Sequence, residues 1–205
     1  MCKEGSEEEE EEAMEGGVVL AHGRRRPHVL LFPFPAQGHI NPLLDLGDRL
    51  GASGILSTLV LPRGTLAKGL VLPEKHPLVR FAALHLPPHI DAKLSSGDQS
   101  WEMFEIVDTE LLGPLTTFIR SYAAADVGEQ PPISCLVSDS FMPWTVELAG
   151  ELGIPRVEMW TASATAYIFG SSILPLISKG LLPFIEGPLS LSPSLCLSLP
   201  MSLHY

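Results

Sequence analysis

The sequence predicts an α/β fold: a parallel sheet with helices on both faces. Three observations carry that expectation. Short runs rich in strand formers recur at 29–34, 55–61, 79–84, 133–137 and 156–160. Segments with helical spacing lie between most of them, at 43–50, 101–123, 144–152 and 163–178, the alternation that stacked β–α–β units require. The first run leads directly into a turn that carries a lone histidine, His39.

Taken in order, 29–34 is an unbroken apolar stretch, the pattern of a central parallel strand. Pro33 and Pro35 close it, because proline donates nothing to a sheet ladder. Gly38 is expected to permit a turn that a side chain would resist. Asn41 is expected to cap a helix and Pro42 to take its first position, ahead of Leu43, Leu44, Leu46 and Leu50. His39 then falls beside a helix N-terminus at the carboxyl end of a strand, where open α/β sheets place ligands. The second run is crowded by Gly51-Ala-Ser-Gly54 and Pro62-Arg-Gly64. Leu86-Pro-Pro-His89 and 127–132 read as loops, and the latter leads into the strand that ends at Asp139. Residues 159–178 carry no charge, so a membrane span has to be weighed. Thr161, Ser163, Thr165, Gly170, Ser171, Ser172 and Pro175 dilute its hydrophobicity, and it divides into a strand, a turn and a buried helix.

Among the 205 residues, 45% are hydrophobic and 7% aromatic, enough for one substantial core. The formal charge of −11 is concentrated at one end. Eight glutamates against Lys3 give −7 over residues 1–20 and leave −4 for 21–205. Residues 1–26 therefore read as a disordered acidic tail, with an acidic interaction tail as the functional alternative. Arg24-Arg25-Arg26 fits a solubilising lead-in better than a localisation patch. No basic stripe suggests nucleic acid, and the acidic start is unlike a secretory signal. Cys2, Cys135 and Cys196 form no paired spacing, which fits a reducing, cytoplasmic setting and no metal cluster. Residues 185–205, uncharged from Gly187 onwards, mix Leu with Ser and Pro and read as a low-complexity tail.

Pro35-Ala-Gln-Gly-His39-Ile-Asn-Pro42 resembles the N-terminal signature of the plant family 1 UDP-glycosyltransferases. Ile133-Ser-Cys-Leu-Val-Ser-Asp139-Ser-Phe-Met-Pro-Trp144 and Gly153-Ile-Pro-Arg-Val-Glu-Met-Trp160-Thr161-Ala-Ser follow in that family's order and spacing. The resemblance covers 27–184 and implies the N-terminal, acceptor-binding, Rossmann-like domain of a GT-B fold. The family's second domain binds the nucleotide sugar through a signature with Trp, Gln, His-Cys-Gly-Trp-Asn-Ser and Glu elements. None of these occurs here, so the donor domain is expected to be absent and residues 185–205 to be out of family.

Glycosyl transfer to a hydroxyl needs a base that works near neutral pH. Histidine, with an ordinary pKa of about 6.5, suits that role, and a helix N-terminus favours its neutral form. The resemblance assigns the base to His39; a histidine that merely satisfies a turn is the plainer alternative. It assigns the orienting partner to Asp139, which on position alone could equally cap a helix starting near Phe141. It assigns a donor-sugar contact to Thr161, whose alternative is a cap for the 163–178 helix. Gln37, Gly38 and Trp144 are expected to contact substrate, and Phe34 and Met142 are further candidates for an apolar acceptor pocket. His85 and His89 fit solvated loop positions, and Asp91, Asp98 and Asp108 surface groups. The activity implied is inverting transfer from a UDP-sugar to a small hydroxylated acceptor. The UDP-sugar serves as co-substrate, and no cofactor, metal, nucleic acid or membrane span is involved. The alternative is a non-catalytic fragment that binds small molecules or a partner.

Overall fold

The computed structural model describes residues 26–69, 71–97, 100–124 and 131–180. The acidic tail to residue 25, Cys2, Asp98, Cys196, most of the 127–132 loop and the 185–205 tail lie outside the described residues.

Five parallel strands form one sheet in the order β3-β2-β1-β4-β5. They are β1 (His28–Phe32), β2 (Leu56–Pro62), β3 (Val79–Leu84), β4 (Cys135–Asp139) and β5 (Arg156–Met159). Every residue of β1 and β2 is buried. The glycines and prolines flanking β2 bound it without breaking it, and it pairs with both β1 and β3.

Strand residues alternate between two cores, as the two-residue period of a strand demands. Leu30, Phe32, Val60, Leu84 and Leu136 face one side. There they meet α3 (Pro88–Leu94), α4 (Trp101–Glu110), α5 (Leu112–Ala124) and α6 (Thr145–Leu152). Val29, Leu31, Leu59, Leu61 and Val137 face the other side, under α1 (Gln37–Ala52). Gly47 lets α1 lie close to the sheet, since a Cβ there would sit 2.8 Å from Val79 Cγ2 and 3.0 Å from Leu31 Cδ1. Gly153 ends α6 in the left-handed region, at φ 65°, the conformation that glycine adopts at least cost.

Several expectations need correction. Helix α1 starts at Gln37, not beyond Asn41, because Ala36 is extended and its carbonyl accepts from the His39 and Ile40 amides, each at 2.9 Å. Pro42 therefore lies inside α1 and leaves the Gly38 carbonyl without an amide four residues on. Gly38 is helical and not in the positive-φ region; an added Cβ would meet nothing within 4 Å. The 101–123 helix is two helices that break at Leu111. Pro114 has no amide to offer Glu110, and its ring crowds the preceding turn.

Leu86-Pro-Pro-His89 is not all loop, since Pro87 caps α3 and Pro88 is its first residue, a position where proline's missing N–H costs nothing. Asp91 is not merely a surface group: its carboxylate accepts the Gly64 amide at 3.0 Å and ties α3 to α2 (Arg63–Ala67). Helix α7 (Ala164–Ser178) is not buried, and Ile168 and Phe169 are 62% and 64% exposed. No described element packs extensively over it. Among the described residues, no helix is long and apolar enough to cross a membrane.

His28 opens β1 fully buried. Its Nδ1 lies 2.8 Å from the Pro131 carbonyl and its Nε2 2.8 Å from Thr58 Oγ1. The carbonyl can only accept, so Nδ1 carries the hydrogen and Nε2 accepts from the threonine in a neutral ring. Burial lowers its pKa below 6.5, with Arg80 adding to the effect against the Pro131 bond. Below 6.5 the unfolded chain takes up a proton that the folded chain refuses, so stability is full above that value and falls as pH drops towards the folded pKa. Urea unfolding from about pH 7.5 to about pH 5 should show this decline and a shallower one in His28→Gln. Identical slopes would contradict the assignment.

Candidate active site

Parallel pairing puts the carboxyl ends of all five strands on one edge, and the chemistry-bearing residues gather there. His39 lies in the first turn of α1, Asp139 is the last residue of β4, and Thr161 follows β5. His39 Nδ1 is 2.7 Å from Asp139 Oδ2 and 2.9 Å from Thr161 Oγ1. Asp139 is fully buried, whereas the His39 side chain is 19% exposed. The other carboxylate oxygen, Oδ1, accepts the Phe141 amide at 3.0 Å. Asp139 therefore engages the histidine and closes the turn at Phe141, but it caps no helix, since α6 starts only at Thr145.

A buried carboxylate must be fully hydrogen-bonded to remain charged. Ionised Asp139 can only accept, so the hydrogen between it and the ring belongs to Nδ1. That leaves the Nε2 lone pair as the ring's open acceptor, and no described residue bonds it. A neutral imidazole held by a carboxylate on one nitrogen and open on the other can take a proton from a substrate.

The ring sits in an aromatic wall. Phe34 and Phe141 have centroids 5.3 and 4.9 Å from the imidazole. Phe104 packs on Phe34 at 4.9 Å and on Phe141 at 5.7 Å. Trp101 extends the wall from Phe104 at 5.7 Å, and Trp160 extends it from Phe141 at 6.5 Å towards Tyr167. Of the candidate pocket residues, Phe34 is in this wall, while Met142 is buried in the core. Phe104, Phe141, Trp160, Trp101 and Tyr167 were not singled out from the sequence. Nothing local marked them, because they converge only when α4, β4 and β5 meet.

The remaining candidates fall in two places. Gln37 and Gly38 lie exposed at the start of α1, with Gln37 Nε2 3.4 Å from Asn41 Oδ1. Thr161 does not cap α7; Ser163 does, accepting the Ala166 amide at 3.1 Å. Trp144 packs edge-on against Phe32 at 6.2 Å and lines a different cavity, of about 620 Å³, with Leu112, Glu147, Arg156 and Glu158. Arg156 Nε donates to Ser138 and Thr145 there, at 2.8 and 2.9 Å. His85 and His89 are exposed. Cys135 is a free, half-buried thiol whose pKa burial raises. Among the described residues no group of three or more His, Cys, Asp or Glu is placed to hold a metal.

Comparison with known proteins finds relatives of this chain. No family model matches the chain. It is 34% identical over 179 residues to UDP-glycosyltransferase 85A7 of Arabidopsis thaliana, covering 83% of this chain and 35% of that protein. It is 33% identical over 178 residues to 7-deoxyloganetin glucosyltransferase of Catharanthus roseus, covering 84% and 36%. Among solved structures it is similar to Os79 from O. sativa in complex with a trichothecene, with TM-score 0.61 and 25% identity, covering 83% of this chain and 43% of that one. The chain is thus a homologue of the plant family 1 UDP-glycosyltransferases, corresponding to their N-terminal portion. Its sheet matches part of their GT-B structures. It spans about a third of the length of the curated relatives it matches.

The exposed helical setting of Gly38 gives a direct test. Gly38→Ala should fold as well as the wild type, or be more stable by about 0.5–1 kcal/mol, because alanine is the better helix former. Chemical unfolding measures this, and a loss of more than about 1 kcal/mol would contradict the position of the helix start.

Proposed function

We propose that this chain is the acceptor-binding, base-bearing part of a UDP-glycosyltransferase. The single observation that carries the reading is the buried carboxylate of Asp139 on His39 Nδ1, which leaves Nε2 as the proton acceptor. In the reaction, the acceptor O–H gives its proton to Nε2 and the oxygen forms a bond to the anomeric carbon. The bond from that carbon to the UDP oxygen breaks, and its electron pair leaves with UDP. Attack opposite the leaving group inverts the anomeric centre. Asp139 stabilises the imidazolium as it forms and holds the ring in place.

The aromatic wall supports an acceptor with a large apolar body and a hydroxyl. Phe104, Phe141 and Trp160, each half-buried, offer ring faces and edges, with Phe34 buried behind them. The UDP-sugar would depend largely on residues outside this chain, since the match covers only 35% of the relative. Orientation of both substrates, not the base alone, accounts for much of the rate. The exposed Ile168 and Phe169 of α7 favour a second reading for the chain by itself: acceptor binding without turnover, with α7 against another polypeptide.

The test is a chimera of residues 27–180 joined to the remainder of UDP-glycosyltransferase 85A7. It should release UDP in an acceptor-dependent way, and His39→Ala should lower kcat/KM by about 10²–10⁴-fold with unfolding unchanged. Turnover near the parent level in that variant would overturn the assignment. Acceptor-dependent UDP release by the purified chain alone would overturn the second reading.

A further inference from the structure

His39 Nδ1 has one hydrogen and two oxygens within reach, Asp139 Oδ2 at 2.7 Å and Thr161 Oγ1 at 2.9 Å. The two are not equivalent. The carboxylate is fully buried and accepts the Phe141 amide through its other oxygen, so it needs a donor at Oδ2, and the ring supplies it. Thr161 Oγ1 cannot then donate to Nδ1, because that nitrogen's lone pair is committed to its hydrogen.

We propose that Thr161 is a positioning residue for the base: its hydroxyl oxygen is the second acceptor of a shared Nδ1–H bond. Rotation of the imidazole about its Cβ–Cγ bond, or a shift of the hydrogen to Nε2, then breaks two contacts, where a simple pair would lose one. Three elements fix one ring, with α1 supplying the histidine, the end of β4 the carboxylate and the segment after β5 the hydroxyl. A further consequence concerns the threonine's own hydrogen. With its oxygen accepting from Nδ1, that hydrogen points away from the ring and is free to donate to an oxygen of bound substrate. Occupancy of that oxygen would polarise the hydroxyl and tighten its hold on Nδ1–H, coupling substrate binding to the readiness of the base. The inference rests on the reading of His39 as the base, and it gives Thr161 a task beyond any direct contact with substrate.

The experiment uses the 205-residue chain with ¹⁵N-labelled histidine, because ring-nitrogen shifts report which nitrogen carries the hydrogen. Wild type should show the Nδ1–H tautomer for His39 and a slowly exchanging, downfield Nδ1 proton. Thr161→Val keeps the shape and removes the acceptor. It should lower the ratio of Nδ1–H to Nε2–H tautomers about two- to tenfold and speed exchange of that proton, and Thr161→Ser should restore both. Thr165→Val, on the exposed side of α7, controls for general loosening and should change neither. Wild-type shifts and exchange in Thr161→Val would overturn the proposal and leave the base assignment standing. An Nε2–H tautomer in the wild type would overturn the base assignment itself.

Discussion

The pairing of β1 with β4 is the constraint on which the rest of the molecule depends. Val29 through Phe32 align with Cys135 through Ser138, joining segments separated by about a hundred residues of chain. The register sets which residues share a level at the carboxyl edge. Phe32 lies opposite Ser138, so the next few residues of each segment, His39 on α1 and Asp139 at the end of β4, meet above the sheet. A slip of one residue would turn Leu136 and Val137 to the wrong cores and carry Asp139 away from the histidine. The apolar alternation that builds two cores thus also fixes the distance between His39 and Asp139.

Electrostatics reinforces the packing. Asp139 is fully buried, where an unpaired carboxylate would either neutralise or unfold its surroundings. Its two oxygens take the Phe141 amide and the His39 ring, so the group that holds the imidazole also satisfies the turn after β4. Phe141, held by that turn, forms one side of the aromatic wall. One residue thus holds the histidine ring and closes the turn at Phe141.

Much of this was legible in the sequence because it is written locally. The apolar runs gave the five strands, and the residues just past the first and fourth strands marked His39 and Asp139 as edge groups. What remained hidden depends on contacts between distant segments or on competing local rules. Pro42 after Asn41 is the usual mark of a helix start, but the extended Ala36 nucleates the helix earlier and tolerates the proline inside. Pro114 broke a long helical pattern whose hydrophobic spacing continued on both sides. Most of the aromatic wall could not be read: Phe34 was a pocket candidate, but Phe104, Phe141 and Trp160 come together only in the fold. Trp144 carries the right motif but points to a different cavity, because it precedes α6 and packs on Phe32, away from the imidazole.

The central claim is that His39 and Asp139 act as one unit. The most direct test is a double-mutant cycle on kcat/KM in the chimeric transferase, comparing His39→Ala, Asp139→Ala and the double variant. Coupled action predicts that the double variant is about as slow as His39→Ala alone, because the carboxylate has nothing left to orient. If the two losses instead multiply, each residue acts independently, and the carboxylate is a structural cap that merely lies beside the ring.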